Sequence, residues 1–258
     1  MKLSIEAGLD YTFPSAADVL LQLEAAIIPE QRVEQAHIDL SPTEHFARVP
    51  GHDAIGERIW LRVRGTFSVR YSATVAINRL SPDIAPLPAV PPHLLPGETV
   101  DYLMPSRYCP SDEFQNFVAA EFGGLSGGAA VCAMRDWIAG HFRYVPGSSS
   151  AATTALESFV TRQGVCRDYA HVLIALARAA AIPARFASVY APDVSPQDFH
   201  AVPEVFLDGA WHLVDATGMA NGTDIAKIGV GRDAADVSFL TIYGEALMNA
   251  QSVSVVRI

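Results

Sequence analysis

Residues 166–182, CRDYAHVLIALARAAAI, form a helical pattern that is apolar around nearly its whole circumference. A helix with no face to offer water must lie at the centre of a domain, with other elements packed around it. Its longest apolar tract, Val172 to Ile182, contains Arg178 and falls short of the roughly 18 uninterrupted apolar residues of a membrane span. The hydrophobic period changes on either side of it. Upstream, SDEFQNFVAAEF opens with a Ser-Asp capping signal and AAVCAMRDWIAGHFRY has helical spacing. The Gly/Ser linker PGSSSAATTA follows, and then a short helix around ALESFVTR. Downstream, ARFASVYA, FHAVPEVFL and AWHLVDAT alternate with a period of two. Helices first and strands afterwards predict an α+β domain with an antiparallel sheet.

The N-terminal part has a different character. LSIEAGLDYTF, VLLQLEAAII and RVEQAHIDL read as short strands divided at Pro14-Ser15 and at Pro29, and RIWLRVRGTFSVRYSATVAI alternates around Gly65. This pattern predicts an antiparallel β-sandwich over residues 1–80. Its His37, His45 and His52 are expected at the surface or in turns, because no other chemical side chains cluster with them. Residues 81–99 are proline-rich, with Pro82, Pro86, Pro88, Pro91, Pro92 and Pro96, and predict an extended linker. The second domain is then expected to run over residues 100–258.

Composition removes several function classes. The chain has 18 Lys plus Arg against 28 Asp plus Glu, a formal net charge of -10, so no nucleic-acid partner is expected. The opening MKLSIEAGLDYTF carries Glu6 and Asp10 and lacks an apolar run of signal-peptide length. No membrane partner and a cytoplasmic location are the expectations. HExxH, GxxxxGKS and GxGxxG motifs are absent, and Asp224, Asp233 and Asp236 do not follow an EF-hand spacing. No metal and no cofactor are therefore expected.

Among Cys109, Cys132 and Cys166, position singles out Cys166, which opens the central helix. A helix N-terminus offers unpaired N–H groups and the positive end of a dipole, which favour a thiolate and an adjacent oxyanion. His200 and Asp215 lie on the two arms of a hairpin whose turn is Asp208-Gly209. If Leu207 pairs with Ala210, His200 and Asp215 come to the same face on a diagonal, and His212 points to the other face. Pro203 within the first arm implies an edge or a bulge. A thiol, an imidazole and a carboxylate in this order suit nucleophilic acyl transfer. The imidazole takes the thiol proton, and the carboxylate orients the ring.

The stretches GVCRDYAHVLIALARAAAIPARF and FHAVPEVFLDGAWHLVDAT resemble the transglutaminase-like superfamily. The likeness is closest to its bacterial members with a β-sandwich before the catalytic core, and it extends to YLMPSRYCPSD and GRDAADVSFLTIYG. It implies a papain-like core, with Cys166 as nucleophile, His200 as base and Asp215 as its partner. Many members carry an aromatic residue shortly after the His, where this chain has Ala201-Val202-Pro203. The Cys166 N–H is one candidate oxyanion donor, and Gln163, Trp137 and Tyr144 are candidates for the second. Tyr144, Trp211 and Tyr169 are candidate walls of an acyl pocket.

Arg167 and Asp168 are expected in support of the helix start, and His171 as a packed or hydrogen-bonded histidine. Cys109 is expected to pack the linker against the core; as an alternative it would be a resolving thiol for Cys166. The function expected is cysteine-dependent acyl transfer on an amide through a thioester, in the manner of a peptidase, an amidase or a transglutaminase. The substrate is a peptide or protein amide, either a peptide bond or a glutamine side chain. The alternative is a catalytically idle binding module of the same fold.

Overall fold

The computed structural model describes the whole chain, residues 1–258. It is a three-layer α+β arrangement: helices, a four-stranded antiparallel sheet, and a six-stranded antiparallel sheet. No single helix is long and apolar enough to cross a membrane.

The N-terminal segment gives β1 (Lys2–Leu21), β2 (Gln31–Leu40), β3 (His45–Pro50) and β4 (Glu57–Ile77). β1 and β4 pair along their entire lengths. Pro14 does not end β1. It falls in a register shift between Phe13 and Ala17, opposite Gly65 at φ +69°. An irregularity is where a strand tolerates a residue without an N–H. Leu3, Ile5, Leu9 and Phe13 before the shift and Val19 and Leu21 after it are all buried. The partner changes from Phe13↔Gly65 to Ala17↔Val63, an even offset. A one-residue slip would have turned the apolar set outward, whereas an even offset keeps it inward.

The linker, residues 81–99, lies against the core. Ile84 is buried there with Leu87 and Ala89 beside it, and the Leu87 carbonyl accepts the Gly128 N–H at 2.8 Å. A side chain at Gly128 would meet the Ile84 carbonyl, so only glycine lets the linker come this close. The helical layer contains α1 (Gln115–Phe122), α2 (Gly127–His141), the two-residue β5 (Arg143–Tyr144), α3 (Ala155–Thr161), the two-residue β6 (Gln163–Gly164) and α4 (Cys166–Ala179). Then come β7 (Ala184–Tyr190), β8 (His200–Leu207), β9 (Ala210–Leu213), β10 (Ala226–Gly231), β11 (Leu240–Tyr243) and β12 (Leu247–Arg257).

α4 is buried from Asp168 to Arg178, as its all-round apolar sequence requires. One side meets α2 and α3, and the other packs on β7 and β8 of the sheet β10-β7-β8-β9. Tyr190, Phe199, Ala226 and Ile228 join the core of the six-stranded sheet, while Ala187, Val189, Val202 and Val230 form a smaller cluster of their own. Every residue of β7, β8 and β10 is consequently buried. Charges within this interface are paired: Glu204 contacts Arg185 at 2.8 Å and Lys227 at 2.6 Å.

The expected division into 1–80 and 100–258 requires a correction. β12 pairs with the first half of β1, and β11 pairs with Asp18–Leu21, so the C-terminal strands complete the N-terminal sheet. The cause is an open edge: β4 covers one side of β1 and leaves a second row of N–H and C=O groups to be satisfied.

Candidate active site

Local sequence sets the start of α4. Val165 is extended (φ -112°, ψ -177°), and its N–H donates to Asp168 Oδ2 at 2.8 Å. A carboxylate at this position satisfies an otherwise unpartnered N–H and complements the dipole. Gly164 makes room for it, because a Cβ there would lie 2.5 Å from the Asp168 Cβ. Arg167 extends outward and donates to the Ser150 carbonyl at 2.6 Å, tying down the Gly/Ser segment. Asp168 and Arg167 therefore support the helix start, and Cys166 is its first residue.

β5 and β6 pair in parallel, with Tyr144 opposite Gly164, and the Val145 N–H donates to the Gly164 carbonyl at 2.9 Å. This short ladder brings Tyr144 beside Cys166. Burial and the Cys166 charge push the Tyr144 hydroxyl up to about 12, so it remains a proton donor at neutral pH. Of the three candidates for a second oxyanion donor, Tyr144 lies beside Cys166. Trp137 is stacked between His141 (4.4 Å) and Phe159 (5.4 Å), with the Arg162 guanidinium over its face.

The hairpin has the register expected from its Asp208-Gly209 turn, with Leu207 opposite Ala210 and Glu204 opposite Leu213. It ends where Pro203 lies. The Val214 N–H donates to the Pro203 carbonyl at 2.9 Å, but Pro203 has no N–H to return. The chain leaves the ladder at that point, and Asp215 enters a loop instead of continuing as a strand residue. There Asp215 Oδ1 accepts the Thr217 N–H and Oδ2 accepts the Ala220 N–H, both at 2.8 Å. Asp215 Oδ2 lies 3.1 Å from His200 Nε2. Burial opposes the Asp215 charge, but the hydrogen bonds and the charge from His200, together with Thr217, hold its carboxyl below the ordinary range.

His200 is buried, its Nδ1 has no hydrogen-bond partner, and Cys166 lies close enough to act on the ring. Burial disfavours the charged ring, yet the hydrogen bond to Asp215 and the neighbouring Cys166 and Asp215 charges outweigh it and lift His200 to about 9. The three side chains singled out in the sequence therefore meet, with the ring between carboxylate and sulfur.

Other expected residues lie elsewhere. His212 bonds the Leu207 carbonyl at 3.2 Å. Trp211 pairs with Phe206, six residues along β8 from His200 and roughly 20 Å away at strand rise, so it is no part of an acyl pocket. Tyr169 packs 6.0 Å from the Tyr144 ring. His171 is stacked on Tyr108 at 5.1 Å and accepts the Ala234 N–H at 3.2 Å; burial pushes its ring well below the usual value, so it is a packed neutral histidine. Cys109 is wholly buried, and Ser106, its backbone partner, is held by Arg178 at 3.0 Å. Arg178 is about 18 Å along α4 from Cys166, so Cys109 is not a resolving thiol for it. Asp224, Asp233 and Asp236 hold Arg257, the Tyr108 N–H and Arg232 respectively. Thr217 and Ala220, which fix Asp215, are additions that the structure makes to the site. Their signal in the sequence is Asp-Ala-Thr, a spacing at which an Asp carboxylate bonds its own backbone two residues on.

A sequence model described as the transglutaminase-like superfamily matches residues 117–216, the segment containing all three side chains. In three dimensions the chain is similar to a "Putative Cysteine Protease" from Cytophaga hutchinsonii: 32% identity, TM-score 0.92, covering 99% of this chain and 90% of that one. The periplasmic domain of TgpA from Pseudomonas aeruginosa aligns at 17% identity and TM-score 0.43, over 82% of this chain and 76% of that one. A curated relative, "Uncharacterized protein ML0607" of Mycobacterium leprae, is 27% identical over 118 residues, which are 42% of each chain. The chain thus matches less than half the length of that relative.

Proposed function

The chain belongs to the transglutaminase-like superfamily, and we propose that it is a cysteine-dependent enzyme that transfers the acyl group of an amide through a thioester. The observation that carries this reading is the buried His200, bonded to Asp215 Oδ2 at 3.1 Å and with its free Nδ1 beside Cys166 at the start of α4.

His200 Nδ1 takes the thiol proton, and Asp215 keeps the ring in the orientation that favours its charged form. The Cys166 sulfur attacks the amide carbonyl carbon. The oxygen, now negative, lies against the Cys166 N–H and the Tyr144 hydroxyl. The C–N bond breaks as His200 returns its proton to the leaving amine, and an acyl thioester remains on Cys166. Water then attacks the thioester with His200 as base, releasing the acid and restoring the thiol. An amine in place of water would give a new amide instead. The substrate is a peptide or protein amide, a glutamine side chain or a peptide bond.

The test is turnover of peptide amides by wild type, Cys166→Ala and His200→Ala, with and without an added primary amine. Mass spectrometry would separate hydrolysis from amine incorporation. The expected result is activity in wild type only, and a trapped acyl adduct on Cys166. Activity surviving Cys166→Ala would refute the reading. Absence of turnover together with a thiol that ignores His200 would favour the idle binding module.

A further inference from the structure

The outer face of the six-stranded sheet carries a cavity of about 480 Å³, lined by Asp18, His45, Trp60, Leu61 and Tyr243. Strand alternation brings these side chains together. Val19 and Leu21 of β1 and Ile59, Leu61 and Val63 of β4 are buried in the core, so Asp18, Trp60 and Arg62 face the other way. Asp18 stands opposite Tyr243 on β11 and opposite Arg62 on β4, and Arg62 stands opposite His45 on β3. One row of side chains thus crosses four strands, with Trp60 on the diagonal from Asp18.

The two aromatic residues come from the strands on either side of β1 and meet across it. Their ring centroids are 5.6 Å apart and their planes 34° apart. Neither ring belongs to the hydrophobic core on the inner face, and Tyr243 is 58% exposed. Large amphipathic rings left at a surface and bordering one cavity are suited to meeting a ligand.

The charge of the cavity has one sign. Asp18 is the only carboxylate in the lining, and no Lys or Arg belongs to it. Arg62, next to the cavity, donates to Asp18 Oδ1 at 3.0 Å and contacts Glu44 at 3.4 Å. Two carboxylates share one guanidinium, so a net negative charge remains, and Asp18 Oδ2 has no partner. The π faces of Trp60 and Tyr243 are negative as well. An anion finds no free cation here, and a neutral ligand would leave the carboxylate unused. The volume is that of a small-molecule site.

We propose that this cavity is a second binding site, for a small organic cation of the quaternary or methylated ammonium class, with the cation against Trp60 and Tyr243 and its charge offset by Asp18. The site lies on the sheet layer farthest from α4 and is separate from the chemistry of Cys166.

The test is an NMR titration of the indole N–H signals, of which the three tryptophans give three. The Trp60 signal is identified by its loss in Trp60→Leu. The probes are choline and its neutral isostere 3,3-dimethylbutan-1-ol, with sodium chloride at matched ionic strength as the blank. Choline should move the Trp60 signal, leave those of Trp137 and Trp211 in place, and bind at least about five-fold more tightly than the isostere. Asp18→Asn, which keeps an oxygen for Arg62, and Tyr243→Leu should each weaken choline binding at least about five-fold. Unmoved Trp137 and Trp211 signals in these variants report an intact fold. A Trp60 signal that choline leaves in place, equal binding of the isostere, or wild-type affinity in both variants would overturn the proposal. So would phosphatidylcholine vesicles that sediment the protein when free choline has no effect, because the occupant would then be a membrane. Cys166→Ala should bind choline as wild type does, so the acyl-transfer reading and this one can fail separately.

Discussion

Replacing Asp215 by asparagine should change the protonation of His200 more than any other single substitution. The His200 side chain is 0% exposed, and its ring is lifted from 6.5 to about 9 although burial acts against it. At about 1.4 kcal/mol per pH unit, that rise links roughly 3 kcal/mol of folding stability to the charged ring. Because the folded-state value is the raised one, this stability is fully present below pH 6.5 and is lost as pH climbs through about 9. In Asp215→Asn the carboxylate charge is gone while burial remains, so the His200 midpoint should fall by about two pH units. The loss of stability between pH 6.5 and 9 should flatten correspondingly. Asparagine has one oxygen where Asp215 uses two, so either the Thr217 or the Ala220 N–H loses its acceptor and the variant should also be less stable at every pH. A ring-proton NMR titration of His200, with urea unfolding at several pH values, reads both quantities. A wild-type midpoint at or below 6.5, or the same midpoint in the variant, would refute the account of this pair.

Three further outcomes follow from the same geometry. Gly164→Ala should push Asp168 off the start of α4 and destabilise the fold by about 1–3 kcal/mol, seen as a lower Tm together with slower alkylation of Cys166. Tyr144→Phe should lower kcat by roughly 100-fold while KM changes little, because the lost donor acts on the oxyanion and not on the bound amide. Glu204→Ala would leave Lys227 and Arg185 buried without their shared carboxylate, which burial opposes but both cations hold down at about 2. Urea unfolding should show a cost of about 3–5 kcal/mol, and a cost near zero would mean water reaches this interface.

Much of the site is legible in the amino-acid sequence, for reasons that are local. Cys166 stands out because a thiol at the first residue of a buried helix is unusual for a packing cysteine. The His200–Asp215 diagonal follows from a two-residue turn, which leaves a hairpin one register. The folded chain alters the details. Pro203 implies an edge or a bulge, but β8 keeps its register through it, and the missing N–H ends the β9 ladder so that Asp215 enters its loop. Composition gives no ground for excluding Trp211 from the pocket; only the run of β8 separates it from His200.

The central helix, the order of helices and strands, and the residues that meet at His200 are all properties of the linear chain. Each of these depends on a period or a turn within a few dozen residues. Two other features come from the packing in space: β11 and β12 return to β1, and Tyr144 is brought beside Cys166. These depend on which open edge and which short ladder lie nearby. A pattern of hydrophobicity says which face of a strand is inward, but not which strand will be its neighbour.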